Sequence, residues 1–115
     1  MDDAARRQAS DLLYDTWMKG EVIDALPDAI RPQSRAEGYA VQALLEKRFS
    51  APLWGWKIAA TSTAGQTHIG VDGPLAGRIF AERVLAPGAT VPAGANRMKV
   101  AEVEFAFRFS RDLAP

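Results

Sequence analysis

The chain has 115 residues, 48% of them hydrophobic, which is enough for one buried core. Fourteen Lys/Arg balance fourteen Asp/Glu, and no basic run is dense enough to follow a phosphate backbone, so the charge pattern argues against nucleic acid as a partner. Cysteine is absent, which removes disulfides, thiolate zinc sites and a Cys nucleophile; with the acidic start MDDAARRQAS and no apolar run near the ~18 residues of a bilayer span, the expectation is a cytoplasmic protein with no membrane partner.

In chain order, Ala5, Ala9, Leu12, Leu13 and Trp17 recur at close to 3.6 residues and predict a first helix. Asp2 and Asp3 suit its positive end, and Lys19 followed by Gly20 suits its close. After the Pro-containing stretch Leu26 to Pro32, Ser34-Arg35-Ala36-Glu37 has capping-box spacing and opens a second helix over Arg35 to Arg48. That helix is expected to bury Ala36, Ala40, Leu44 and part of Tyr39 or Val41. From Leu53 the pattern becomes short apolar runs: Leu53 to Ala59, Arg78 to Val84 and Val100 to Ser110 are predicted strands. Asp72-Gly73-Pro74, Pro87-Gly88 and Ala93-Gly94-Ala95-Asn96 are predicted turns. Helices first and strands afterwards predict an α+β fold, with a helical segment over residues 1–50 and a β-rich segment over 51–115.

Two of the predicted strands carry the chemistry. In LWGWKIAA, Trp54, Trp56 and Ile58 share one face, as core or interface, and Gly55, Lys57 and Ala59 share the other. Small neighbours leave room for a ligand beside the Lys57 ammonium, although a lysine on an edge strand also serves to discourage aggregation. In VAEVEFAFRFS, Val103, Phe105, Phe107 and Phe109 form an aromatic face expected in the core, while Glu102 and Glu104 lie on the opposite face. Two strand rises separate their α-carbons by about 6.6 Å. At that separation two carboxylates repel by roughly 0.6 kcal/mol in water and about 2.5 kcal/mol at an effective dielectric of 20. Solvated, the pair is an ordinary wet face; buried, it requires a cation, and Mg²⁺ or Mn²⁺ suits carboxylate oxygens. His68, the only histidine, reads as a loop or hydrogen-bonding residue, and Thr61, Ser62 and Thr63 read as turn formers or as hydroxyls facing a substrate carboxylate.

Taken in order, GWKIAATS (Gly55 to Ser62), GQTHIGVDGPLAGRI (Gly65 to Ile79) and AEVEFAFRFSRDL (Ala101 to Leu113) resemble the fumarylacetoacetate hydrolase superfamily. The resemblance is to its 2-keto-4-pentenoate hydratase and 4-oxalocrotonate decarboxylase branch, and to the N-terminal half alone. It implies that 51–115 is the first part of an incomplete fumarylacetoacetate hydrolase-like β fold. It implies a metal-dependent lyase acting on 2-hydroxy-2,4-dienoates or 2-oxo acids of aromatic degradation, with Glu102 and Glu104 as metal ligands, Lys57 as the active-site lysine, and Asp72 in a loop near the substrate. Leu75 stands where many hydratases of the branch carry Asp, which keeps decarboxylation and acylpyruvate C–C hydrolysis open beside hydration. The family's third carboxylate ligand comes from a later strand, so the chain is expected to be a truncated form with little turnover alone. It is expected to form a homo-oligomer or to associate through open strand edges. A non-catalytic fragment or interaction module is the reading from another class.

Overall fold

The computed structural model describes residues 1–112. Residues 113–115, which end both the third motif and the 51–115 segment, lie outside the described residues.

Helix α1 spans Asp3–Lys19, and its ends follow from local chemistry. The Asp2 carboxylate accepts a hydrogen bond from the Ala5 amide at 2.7 Å, satisfying one of the donors a helix start leaves unpaired. At the other end Gly20 takes φ +67°, a left-handed conformation that glycine adopts freely, and its amide bonds back to Thr16 and Trp17. Helix α2, Arg35–Ala43, starts on the Ser34 hydroxyl, which accepts from the Glu37 amide at 3.2 Å. Only that half of the predicted capping box forms. The Glu37 carboxylate instead accepts from the Met1 amine at 2.6 Å and the Gln33 amide at 2.7 Å, and these bonds, the amine's first, hold it below the usual carboxylate range. Beyond Ala43 the helix tightens to 3-10 geometry over Leu44–Lys47 and stops at Arg48, the predicted end.

Strands β1 (Leu53–Ala59) and β2 (Leu75–Phe80) form a two-stranded antiparallel sheet, with Trp56 opposite Arg78 and Lys57 opposite Gly77. The register shifts between Leu53 and Gly55, which makes Trp54 the extra residue of a bulge. Between the strands lies a helix the sequence reading lacks, α3 (Thr63–Ile69), capped by the Ser62 hydroxyl on the Gly65 amide at 3.1 Å and closed by Gly70 at φ +72°. The second strand also sits earlier than the predicted Arg78 to Val84. Ala81–Arg83 form a 3-10 turn because Glu82 reaches back across the sheet end, accepting from the Ser50 hydroxyl at 2.6 Å and the Ser50 and Ala51 amides at 2.8 Å each.

Two contact clusters join these elements. Ala9, Ile30 and Val41 are buried together, with Met1, Ala5, Leu12 and Leu26 packed around them, tying α1 to α2. The expected buried face of α2 is therefore centred on Val41, and Ala36 is exposed, because α2 rolls toward α1 on one side and β2 on the other. An aromatic cluster ties α1 to the sheet: Phe49 stacks on buried Phe80 at 4.0 Å and meets the rings of Tyr14 and Trp17 at 5.9 and 6.0 Å. On the outer edge of β2, Tyr39 Oη accepts from the Ala76 amide at 3.0 Å and Gln42 Nε2 donates to the Ala76 carbonyl at 3.1 Å. Helix side chains thus cap that edge at Ala76.

The described chain from Glu82 to Asp112 is exposed throughout, and the radius of gyration, 15.6 Å, exceeds the ~13 Å expected of a packed domain this size. Two expectations are corrected here. Val100 to Ser110 does not form a strand, since among the described residues no backbone–backbone hydrogen bond links it to a neighbour. Its aromatic face is not core: Phe105 is 97% and Phe107 84% exposed. Alternation sorts side chains onto faces, but a strand exists only where a partner accepts its backbone bonds. Likewise Trp54 and Trp56 are outside the core, Trp54 being 61% exposed. No helix among the described residues is long and apolar enough to cross a membrane.

Candidate functional site

The site begins with the parity of β1. Its exposed face carries Trp54, Trp56 and Ile58, and its half-buried face carries Gly55 and Lys57, so the lysine stem lies along the protected side. A Cβ added at Gly55 would meet nothing within 4 Å, so the space beside Lys57 is open as the small-residue pattern predicts. On the other face Trp56 is fixed by the cross-strand guanidinium of Arg78, 4.7 Å above its ring. Arg78 is itself held by Glu46 at 2.6 Å and Gln42 at 2.7 Å, so α2 and the 3-10 turn after it set the strand that positions Lys57.

The loop after β2 delivers the carboxylates. Ala95 packs directly on Gly20, Arg97 Nη1 donates to the Gly20 carbonyl at 3.3 Å, and the Asn96 side chain accepts from the Met98 and Lys99 amides at 3.1 and 3.3 Å. Lys99 then takes φ +50°, a left-handed turn uncommon for a side chain of that size, and redirects the chain toward β1. The outcome is a three-residue cluster. Lys57 Nζ lies 3.2 Å from Glu102 Oε2 and also donates to Glu104 Oε1, so one ammonium bridges both carboxylates. The side chains are 38%, 64% and 54% exposed, so the cluster is an open one at the surface. At that exposure each ion pair stabilises by about 0.2–1 kcal/mol.

The other predicted residues lie elsewhere in the bonding pattern. Asp72 pairs with Arg35 at the start of α2, and Gly73 packs beside the same guanidinium. Ser62 is engaged as the cap of α3. Between Lys57 and that cap, Ala60 ends β1 in the left-handed region at φ +54°, its carbonyl held by Gln66 Nε2 at 3.0 Å. His68 lies in the last turn of α3.

Chemically, the cluster offers hard oxygen donors converging on one ammonium, with open space beside it. Two carboxylates fit an open Mg²⁺ or Mn²⁺ site, which takes its remaining ligands from water and substrate oxygens. Among the described residues no group of three or more His, Cys, Asp or Glu side chains gathers to hold a metal.

Comparison with known proteins bears on what such a cluster belongs to. No family model matches the chain, and no solved structure matches it. Among curated proteins it is similar to a 2-keto-4-pentenoate hydratase of Paraburkholderia xenovorans (strain LB400), 28% identical over 98% of this chain and 43% of that protein. It is also similar to 2-keto-4-pentenoate hydratases 2 and 1 of Dechloromonas aromatica (strain RCB), each 34% identical, over 95% and 91% of this chain and 43% and 41% of theirs. The chain thus spans about two fifths of the length of the curated relatives it matches, in keeping with the N-terminal half that the motifs indicate. By sequence the chain is similar to the N-terminal half of 2-keto-4-pentenoate hydratases.

Proposed function

We propose that this chain carries the lysine- and carboxylate-bearing part of a hydratase acting on 2-hydroxy-2,4-dienoates, the unsaturated 2-oxo acid equivalents formed in the breakdown of aromatic compounds. The observation that carries the reading is the convergence of Lys57, Glu102 and Glu104, drawn from segments 45 or more residues apart, in a chain whose relatives bear the hydratase name.

Glu102 and Glu104 would hold Mg²⁺ or Mn²⁺, which when bound supplies Lewis acidity toward the substrate's carboxylate and 2-oxygen. The rest of the work falls to side chains. Lys57 projects from a strand whose neighbours Gly55 and Gly77 leave its flank open, so its ammonium can donate to an oxygen on which negative charge develops, or pass a proton to carbon as the enol becomes ketone. Addition of water across the remaining double bond then completes hydration. Leu75, the first residue of β2, offers no proton at a position where many hydratases have Asp, and this favours decarboxylation or C–C hydrolysis as the alternative reaction at the same cluster.

The test is binding of a saturated 2-oxo acid, 2-oxopentanoate, to the purified chain with and without Mg²⁺, followed by turnover of 2-hydroxypenta-2,4-dienoate. The expected result is 2-oxo acid binding that requires the divalent ion and disappears in Glu102→Gln/Glu104→Gln. Binding that is indifferent to both would overturn the reading.

A further inference from the structure

The bridging geometry says more than that three groups are near one another. A single ammonium sits where both carboxylates reach, donating to Glu104 and lying 3.2 Å from Glu102. Lysine's three N–H donors on a compact charge suit that position, and in charge and placement the ammonium stands where a bound cation would have to stand. Two cations cannot share it. Resting on the reading of Glu102 and Glu104 as an ion-holding pair, we propose that Lys57 is the pair's resident counter-charge, and that a divalent ion binds by exchanging with it.

The fold gives the displaced ammonium one direction to move. Trp54, Trp56 and Ile58 occupy the far face of β1, and Trp56 is pinned there by Arg78, so the lysine cannot cross the strand. Along its own face Gly55 contributes no side chain, and a methyl group placed there would touch nothing within 4 Å. The ammonium therefore swings into the open space where a substrate would lie. Occupation of the carboxylates and release of Lys57 toward substrate become one event: with the pair empty the lysine is tied down, and with the pair filled it is available. The same competition lowers the pair's apparent affinity for ions. Two exposed ion pairs of ordinary strength amount to about two- to thirtyfold in a binding constant.

Isothermal titration with Mn²⁺, at one pH and one ionic strength, of the native chain, Lys57→Met and Glu102→Gln/Glu104→Gln provides the test. The expected result is binding two- to thirtyfold tighter in Lys57→Met than in the native chain, and none in the double variant. Equal or weaker binding in Lys57→Met, with the native chain still binding and the double variant not, overturns the exchange and leaves the carboxylate reading standing. Absence of binding in both the native chain and Lys57→Met removes that reading and this inference with it. A second readout needs no substitution of the lysine: the Lys57 ammonium resonance of the native chain should shift as Mg²⁺ saturates the pair. A resonance that stays in place while calorimetry shows saturation refutes the exchange.

Discussion

Replacement of Gly20 by alanine isolates the joint on which delivery of the carboxylates depends. Two separate penalties are expected. The first is conformational: Gly20 sits at φ +67°, and a Cβ in the left-handed region costs about 1–2 kcal/mol. The second is steric, because that Cβ would lie 2.5 Å from the Ala95 Cβ, where carbon atoms prefer about 3.5–4.0 Å. The 93–97 loop must therefore retreat by about 1 Å, loosening the Arg97 bond to the Gly20 carbonyl, which is already 3.3 Å long. Urea denaturation followed by tryptophan emission, reporting through Trp17 beside this joint, reads both. With a slope of about 1–2 kcal/mol per molar, the conformational part alone lowers the midpoint by roughly 1 M. The Gly20→Ala/Ala95→Gly double variant, referenced to Ala95→Gly alone, should recover the steric part and keep the conformational part. Gly20→Ala at native stability, or a double variant with no recovery, would refute the reasoning.

Other perturbations probe the framework around the site. Phe80→Ala, which removes the stacked partner of Phe49 in the contact between α1 and the sheet, should lower stability by about 3–5 kcal/mol in calorimetry or urea titration. Arg78→Lys gives up the forked contact to Glu46 and Gln42 and the cover over Trp56; a loss of about 1–2 kcal/mol is expected, with a shift in tryptophan emission. Glu82 is held below its ordinary value of 4.5, first by the Ser50 hydroxyl and then by the Ala51 amide. A carboxylate depressed in the folded state stabilises it above that value and loses its contribution as pH falls through the lowered one, so stability should be level at neutral pH and decline below about 4.5. Glu82→Gln should flatten that decline in pH-dependent unfolding; an unchanged acid limb would contradict the assignment.

What the sequence disclosed divides along the range of the interactions involved. The bounds of α1 follow from Asp2 and Gly20, and the start of α2 from Ser34, because caps are settled within four residues. β1 was legible to the residue, since Trp54, Trp56 and Ile58 alternate with smaller neighbours between Pro52 and Ala60. α3 escaped because seven residues do not complete enough turns for a periodic signal, although Ser62 and Gly70 bracket it with cap chemistry that was there to be used. The early end of β2 was invisible for a different reason: Glu82 bends the chain through bonds to Ser50 and Ala51, more than thirty residues away. The same holds for the site. Lys57 and the Glu102/Glu104 pair could each be singled out locally, but their meeting across 45 and 47 residues depends on the turn at Lys99 and the anchoring of Ala95 and Arg97 on α1.

The lopsided finish of the small sheet carries a further consequence. Tyr39 and Gln42 occupy the hydrogen-bonding groups of Ala76 on the β2 side, so at that position the ladder can be extended only past β1. A newcomer joining there must send every second side chain to the flank where Lys57 stands and the intervening ones against Trp56 and Ile58. Whatever sequence docks in that slot thereby supplies chemistry to the lysine's surroundings and a greasy backing to the tryptophans in a single step.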